Sequence, residues 1–273
     1  MLRLPLLTSF YYLCTNFEHM ISKARLKYIH SLERKKIRKE EGVFVAEGPK
    51  VVGDLLQVLP VKMVVATTDW LEQHASSLSH AEVIAVSEDE LRKVSFLQHP
   101  QDVLAVFPQK NAHHAFDSRQ CALALDDIQD PGNLGTIIRI ADWFGIEQVY
   151  CSLSTTDVYS PKVVQATMGS IARVNVEYVD LVEFMDSLPD DYPVYGTFLD
   201  GENIYSRPLT PNGLIVMGNE GNGISQQVAE RVNRRLLIPN YPEGRDTADS
   251  LNVAIATAIT CAEFRRQTWM NKS

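Results

Sequence analysis

Three short segments concentrate asparagine, glutamate, serine and arginine among glycines, and each comes directly after an apolar run. The first is Asp126-Asp127-Ile128-Gln129-Asp130-Pro131-Gly132-Asn133-Leu134-Gly135, followed by Arg139. The second is Met217-Gly218-Asn219-Glu220-Gly221-Asn222-Gly223-Ile224-Ser225, and the third runs from Ile238-Pro239-Asn240 to Ser250-Leu251-Asn252-Val253. Glycines spaced G-x-x-G-x-G depart from the dinucleotide-binding G-x-G-x-x-G, which disfavours a nicotinamide or flavin site. They still permit close backbone approach to a ligand. Glu220, in the middle, would repel a pyrophosphate, so the loop suits a ligand with positive charge or neutral edges, such as a sulfonium or an adenine.

Each of these residues also has a structural reading. Asn133 and Ser250 both stand where a helix N-cap is expected. Arg139, off the apolar face of its helix, has Asp142 and Asp126 as candidate salt-bridge partners. Asn252, expected one turn inside a helix rich in Ala and Ile, has poorer helix propensity than its neighbours, which calls for a reason.

The loops need a frame to bring them together. Strands are predicted at 121–125, 148–151, 174–178, 194–199, 214–217 and 236–238, with a helix over 134–144 and a last helix over 251–266. Ile137, Ile140, Ala141 and Phe144 form the apolar face of the first helix. Alternating strand and helix predicts a mostly parallel sheet covered by helices, an architecture that gathers ligands beyond the carboxyl ends of its strands. Upstream, a basic helix, a strand at 43–45, a helix over 50–59 and strands at 63–66, 83–86 and 103–107 predict a smaller α/β unit. The expected division is therefore an extension at 1–19, an α/β domain at 20–107, a linker at 108–119 and the second domain at 120–273.

The chain carries a formal charge of −8 over 273 residues, which alone speaks against nucleic acid. The distribution is uneven. Between Met20 and Lys50 stand nine Lys or Arg against four Glu, a local excess of five positive charges. Arg34, Lys35, Lys36, Arg38 and Lys39 are the candidate phosphate contacts, with a solvated charged face as the competing reading. No apolar run is long enough to span a membrane. The four cysteines (Cys14, Cys121, Cys151 and Cys261) are scattered without metal-ligand spacing, which suggests a reducing cytoplasm. The adjacent His113 and His114 fall in the linker without partners. Met1 to His19 lacks a clear secretory signal, and Met20 is a candidate native start.

Together the three segments resemble the signature motifs of the SpoU/TrmH family of RNA 2′-O-ribose methyltransferases, of the SPOUT class. The matching residues are Asn133, Gly135 and Arg139; Gly218, Glu220, Gly221 and Gly223; and Ile238-Pro239 with Ser250-Leu251-Asn252-Val253. The N-terminal unit is similar, more loosely, to the substrate-binding domain that precedes many members, through Glu47-Gly48 before a helix. The resemblance implies a C-terminal trefoil knot, S-adenosylmethionine bound bent within it, and a homodimer. It implies cofactor contacts at Thr197, Phe198, Leu199, Gly218, Ile238 and Leu251, and catalytic roles for Asn133, Arg139, Glu220, Ser250 and Asn252. It also implies methyl transfer to a ribose 2′-hydroxyl, with ribosomal RNA preferred over transfer RNA and no metal required. A guanidinium does not act as a base at neutral pH, so Arg139 is expected to fix a phosphate and stabilise the developing alkoxide. The segment from Asn240 to Asp249 is longer than is usual in the family. A catalytically silent RNA-binding protein of the same fold and an unrelated dinucleotide enzyme are the competing readings.

Overall fold

The computed structural model describes residues 21–110, 115–242, 245 and 248–270. The proposed start at Met20, Cys14, His113 and His114 lie outside these. The described residues form two compact units, the first ending at Gln109 and including residues 159–161, the second taking the remainder.

In the first unit, helices α1 (Lys23–Ser31) and α2 (Lys35–Glu41) precede strand β1 (Val43–Glu47) and helix α3 (Pro49–Leu56). Then come β2 (Met63–Ala66), α4 (Thr68–His74), β3 (Glu82–Ala85), α5 (Glu88–Val94) and β4 (Val103–Pro108). The sheet order is β1-β4-β2-β3; β4 runs antiparallel to both neighbours and β2 parallel to β3. Val43, Val45, Val65, Leu104 and Val106 are buried with Ile29 and Leu32 of the α1 segment in one core. Glu47 ends β1 inside the unit, accepting from the Ser95 hydroxyl and from Phe96 N–H at 2.9 Å. Burial pushes its carboxyl above the usual range despite these bonds.

The basic stretch expected as a single helix is two, and Arg38 explains the break. Its side chain is 2% exposed. Its Nη1 donates to the carbonyls of Leu32 at 2.7 Å and Glu33 at 2.6 Å, satisfying acceptors that the end of α1 leaves open. Arg38 is therefore removed from the candidate phosphate contacts, because a buried, chelated guanidinium cannot reach solvent. Arg34, Lys35, Lys36 and Lys39 are exposed.

The second unit contains β5 (Cys121–Asp126), α6 (Pro131–Trp143), β6 (Gln148–Ser152), α7 (Pro161–Ala166), β7 (Asn175–Val179) and α8 (Leu181–Asp186). It continues with β8 (Val194–Asn203), β9 (Gly213–Gly218), α9 (Gln226–Ala229), β10 (Arg234–Leu237) and α10 (Val253–Met270). The six strands are all parallel, in the order β10-β8-β9-β5-β6-β7. Every residue of β5 is buried, as a central parallel strand covered on both faces requires. From β5 the chain winds outward to β6 and β7, then returns on the other side of β5 with β8, β9 and β10. This reversal opens a crevice beyond the carboxyl ends of β5 and β9, where Asp126 pairs with Gly218.

The buried positions of α6 are Leu134, Gly135, Ile137, Ile138 and Ala141. Relative to the expected face, Ile140 and Phe144 are only half-buried. Gly135 has a packing role: a Cβ there would lie 2.4 Å from the Cβ of Ala166, 2.9 Å from that residue's carbonyl carbon and 3.0 Å from the Val163 oxygen.

Arg38→Ala is expected to lower the unfolding free energy by about 2–3 kcal/mol, since two carbonyls lose a charged donor. Lys36→Ala, at an exposed site, should change it by less than about 0.5 kcal/mol. Urea denaturation of the two variants checks the contrast.

Candidate active site

The carboxyl ends of β5 and β9 are joined by hydrogen bonds before any catalytic side chain enters. The buried Asp126 accepts from Ser225 N–H at 2.7 Å, fastening the far end of the glycine-rich loop to β5. The next residue, Asp127, adopts φ +59°. Its N–H donates to Ser152 Oγ at 2.9 Å, and its carbonyl accepts from Asn219 Nδ2 at 2.8 Å.

The glycine-rich loop closes on itself. Asn219 and Gly223 exchange backbone hydrogen bonds at 2.9 and 2.8 Å, while Asn219 Oδ1 accepts from Gly221 N–H at 2.8 Å and Asn222 N–H at 3.1 Å. Gly223 takes φ +69°, a conformation that costs glycine little. A Cβ on Gly218 would lie 2.3 Å from backbone atoms of Gly223 and Ile224. Glu220 is the side chain this tight turn presents.

Helix α6 is capped by Asp130, whose carboxylate accepts from Asn133 N–H at 2.8 Å, with Pro131 in the first turn. The expectation that Asn133 caps this helix is thereby corrected: it lies inside the first turn and its side chain is released for other contacts. Asn133 Nδ2 donates to Glu220 Oε1, and Asn133 Oδ1 accepts from Asn252 Nδ2 at 2.9 Å.

Asn252 Oδ1 accepts from Ala254 N–H at 3.0 Å and Ile255 N–H at 3.3 Å. The cap of α10 is thus Asn252, and the expectation for Ser250 is corrected. Asn252 stands ahead of the helix, where asparagine is favoured, and Ser250 is exposed two residues earlier. A carboxylate only accepts and a helix N-terminus only donates, so the orientation of both amides between them follows from the network.

Of the five expected catalytic residues, Asn133, Glu220 and Asn252 are brought into direct contact. Arg139 is exposed on α6, and neither expected ion pair forms. Asp142 is held by Arg173, at 2.8 Å to Nη2, and Asp126 by Ser225. Among the described residues no carboxylate pairs with Arg139. Sequence reasoning offered Asp126 only as a partner for Arg139, not as the anchor of Ser225, and quoted Asn219 in its loop without a role. The available signal for Asn219 was an asparagine followed by two residues whose N–H groups need an acceptor.

Of the residues expected to hold a cofactor, Thr197, Phe198 and Leu199 lie within β8, Gly218 and Ile238 at the ends of its neighbours β9 and β10, and Leu251 just ahead of α10. Along β10 the register on β8 jumps from Arg235 opposite Gly196 to Leu236 opposite Glu202. Residues 197–201 bulge out between them, carrying Thr197, Phe198 and Leu199. Arg235 covers the Phe198 ring, with Cζ 3.5 Å from its centroid, and Gly201 leaves no room for a Cβ against the backbone of Leu236, 2.3 Å away. Leu199 is 80% and Leu251 48% exposed. Ile238 directly follows β10, and Gly218 ends β9. No residue of 197–201 stands in register with β10, and the apolar side chains of Phe198 and Leu199 lie on this segment. The segment after Asn240 contains residues 243, 244, 246 and 247, which lie outside those described.

Among the described residues no group of His, Cys, Asp or Glu is arranged to hold a metal. Burial pushes the Cys121 thiol up to about 11 and raises Cys151 and Cys261 as well, which leaves none of them poised as a nucleophile.

Residues 120–262, which carry all of these loops, match the model of the SpoU rRNA methylase family. This chain belongs to the SpoU family. Residues 23–105 match the MRM3-like substrate binding domain. Among solved structures, a Porphyromonas gingivalis protein described as an RNA methyltransferase of the TrmH family is 42% identical, with a TM-score of 0.82 over 91% of this chain and 99% of that one. The AdoMet-bound rRNA methyltransferase of Sinorhizobium meliloti is 31% identical, with a TM-score of 0.81 over 91% and 97%. The 23S rRNA (guanosine(2553)-2′-O)-methyltransferase RlmP of Bacillus subtilis is 29% identical over 88% of this chain and 96% of its own length.

Asn252→Ala is expected to cost about 1 kcal/mol of stability through the lost cap. Asn252→Asp should keep the cap yet set a carboxylate oxygen against Asn133 Oδ1, forcing the Asn133 amide to turn away from Glu220. Side-chain amide resonances of Asn133 would shift in the second variant with little change in melting temperature.

Proposed function

We propose that this SpoU family member transfers the methyl group of S-adenosylmethionine to a ribose 2′-hydroxyl of RNA, with ribosomal RNA as the substrate. The observation that carries this reading is the hydrogen-bonded series Glu220–Asn133–Asn252, which ties three loops together. The names of the Bacillus and Sinorhizobium relatives support the substrate class.

When bound, S-adenosylmethionine supplies an already electrophilic methyl group, so the protein's task is alignment. In this reading Thr197, Phe198, Leu199, Gly218, Ile238 and Leu251 hold the cofactor, largely by main-chain atoms. Glu220, Asn133 and Asn252 fix the ribose beside it, with Ser250 at the rim. Arg139, which pairs with no carboxylate among the described residues, binds the adjoining phosphate and stabilises the negative charge that develops on the 2′-oxygen. Residues 120–273 are the catalytic domain and its last part a trefoil knot; residues 20–107 are the RNA-binding domain and 108–119 the link between them. The buried free thiols suit a reducing cytoplasm.

A homodimer belongs to the same reading. Helices α6 and α10, which pack on each other, expose Trp143 at 86%, Ile255 at 52%, Trp269 at 78% and Met270 at 65%. Apolar side chains of this size on neighbouring helices suit a buried interface.

Incubation with methyl-labelled S-adenosylmethionine and RNA from a host lacking the gene should place label in nuclease-resistant 2′-O-methylated dinucleotides. Arg139→Ala should lower that incorporation at least about a hundredfold, in line with loss of an oxyanion donor, with cofactor affinity unchanged by calorimetry. Label absent from free RNA and from ribosomal subunits would favour a silent RNA-binding protein, and label in transfer RNA would move the substrate class. In sedimentation the chain should run at dimer mass and Trp143→Asp closer to the monomer; a monomeric wild type would remove the dimer.

A further inference from the structure

The basic stretch of the first unit divides into surfaces of different character. On α2, Arg38 is buried, Lys36 pairs with Glu40 at 3.8 Å, and Glu41 closes the helix. On α1, Arg25 is neutralised by Glu82 at 2.8 Å. Lys23, Leu26, Lys27, His30 and Ser31 instead follow the i, i+3, i+4, i+7, i+8 spacing of one helix face, and Arg34 extends it past the helix end. These six residues line a groove of about 380 Å³.

Lys23, Lys27, His30 and Arg34 are exposed, and among the described residues no carboxylate pairs with Lys23, Lys27 or Arg34. Leu26 packs against the core beneath, and the methylene stems of the two lysines add apolar wall. His30 Nε2 lies 3.0 Å from the Lys93 carbonyl, which only accepts, so Nε2 is the donor and the ring is held in place, 6.1 Å from the Phe96 ring centroid.

We infer that this groove is where the N-terminal unit grips RNA, taking an unpaired nucleotide against Leu26 and His30 while Lys23, Lys27 and Arg34 hold the phosphates beside it. The inference rests on the proposed RNA substrate and deepens it. An apolar wall with a fixed aromatic ring suits the face of a base, which is open only in single-stranded RNA, and the flanking cations pair with no carboxylate among the described residues. A duplex buries its base faces and would use the cations alone.

The test measures binding of the full-length protein to a short labelled single-stranded RNA and to a duplex of equal length, from about 50 to about 200 mM salt. The wild type should prefer the single strand. Lys23→Gln/Lys27→Gln/Arg34→Gln should weaken single-strand binding about tenfold or more at low salt and reduce the slope of log affinity against log salt by about 2, the release of three phosphate contacts. His30→Ala should cost about fivefold or more for the single strand with the slope unchanged. Lys62→Gln/Arg92→Gln, at exposed sites outside the groove and outside the candidate phosphate contacts, should keep the wild-type slope, and unaltered melting temperatures show that the exposed substitutions leave the fold intact. A wild-type slope in the triple variant, or equal wild-type affinity for both RNAs, overturns the groove. If the wild type still methylates RNA in that case, the groove alone falls; if it neither binds nor methylates RNA, the proposed function falls with it.

Discussion

An amide side chain has one end that donates and one that accepts, and the site of this protein depends on that polarity. Glu220 can only accept, and the first turn of α10 can only donate. Two amides placed between them, Asn133 and Asn252, satisfy both ends when each is turned one way. Reversing either would set oxygen against oxygen or nitrogen against an N–H. The three loops are therefore joined in one orientation as well as one position, and the dipole of a helix of 18 residues is coupled to a carboxylate two loops away.

That series works because its supports leave little freedom. Asp130 takes over the capping of α6 and so frees the side chain of Asn133. Asp126 and Asn219 pin the turn carrying Glu220 to the end of β5. The all-parallel sheet supplies the reason these loops meet at all, since winding that reverses beside β5 leaves its end and that of β9 uncovered. Arg139 stays outside the series, with its neighbouring acids already engaged by Arg173 and Ser225.

The strands and the catalytic loops were legible because they are written in local pattern: apolar runs, then glycine with asparagine or acid. Cap assignment was not. Asp130, Asn133, Ser250 and Asn252 all have cap chemistry, and choosing among them requires knowing which amide another loop will claim. Arg38 was misjudged for a related reason. Within a run of cations, nothing local distinguishes the one that turns inward onto Leu32 and Glu33 from those that face water. The bulge of β8 was indicated only through family resemblance, because residues missing from a strand pairing leave no periodicity to detect.

Gly135 shows how firmly some positions are locked. Its neighbour across the helix contact is already alanine, and shortening Ala166 to glycine would remove the Cβ at 2.4 Å but not the carbonyl carbon at 2.9 Å or the Val163 oxygen at 3.0 Å. Backbone atoms cannot be exchanged, so no compensating change elsewhere in the side-chain alphabet reopens the space. A side chain at this residue therefore requires α7 itself to move.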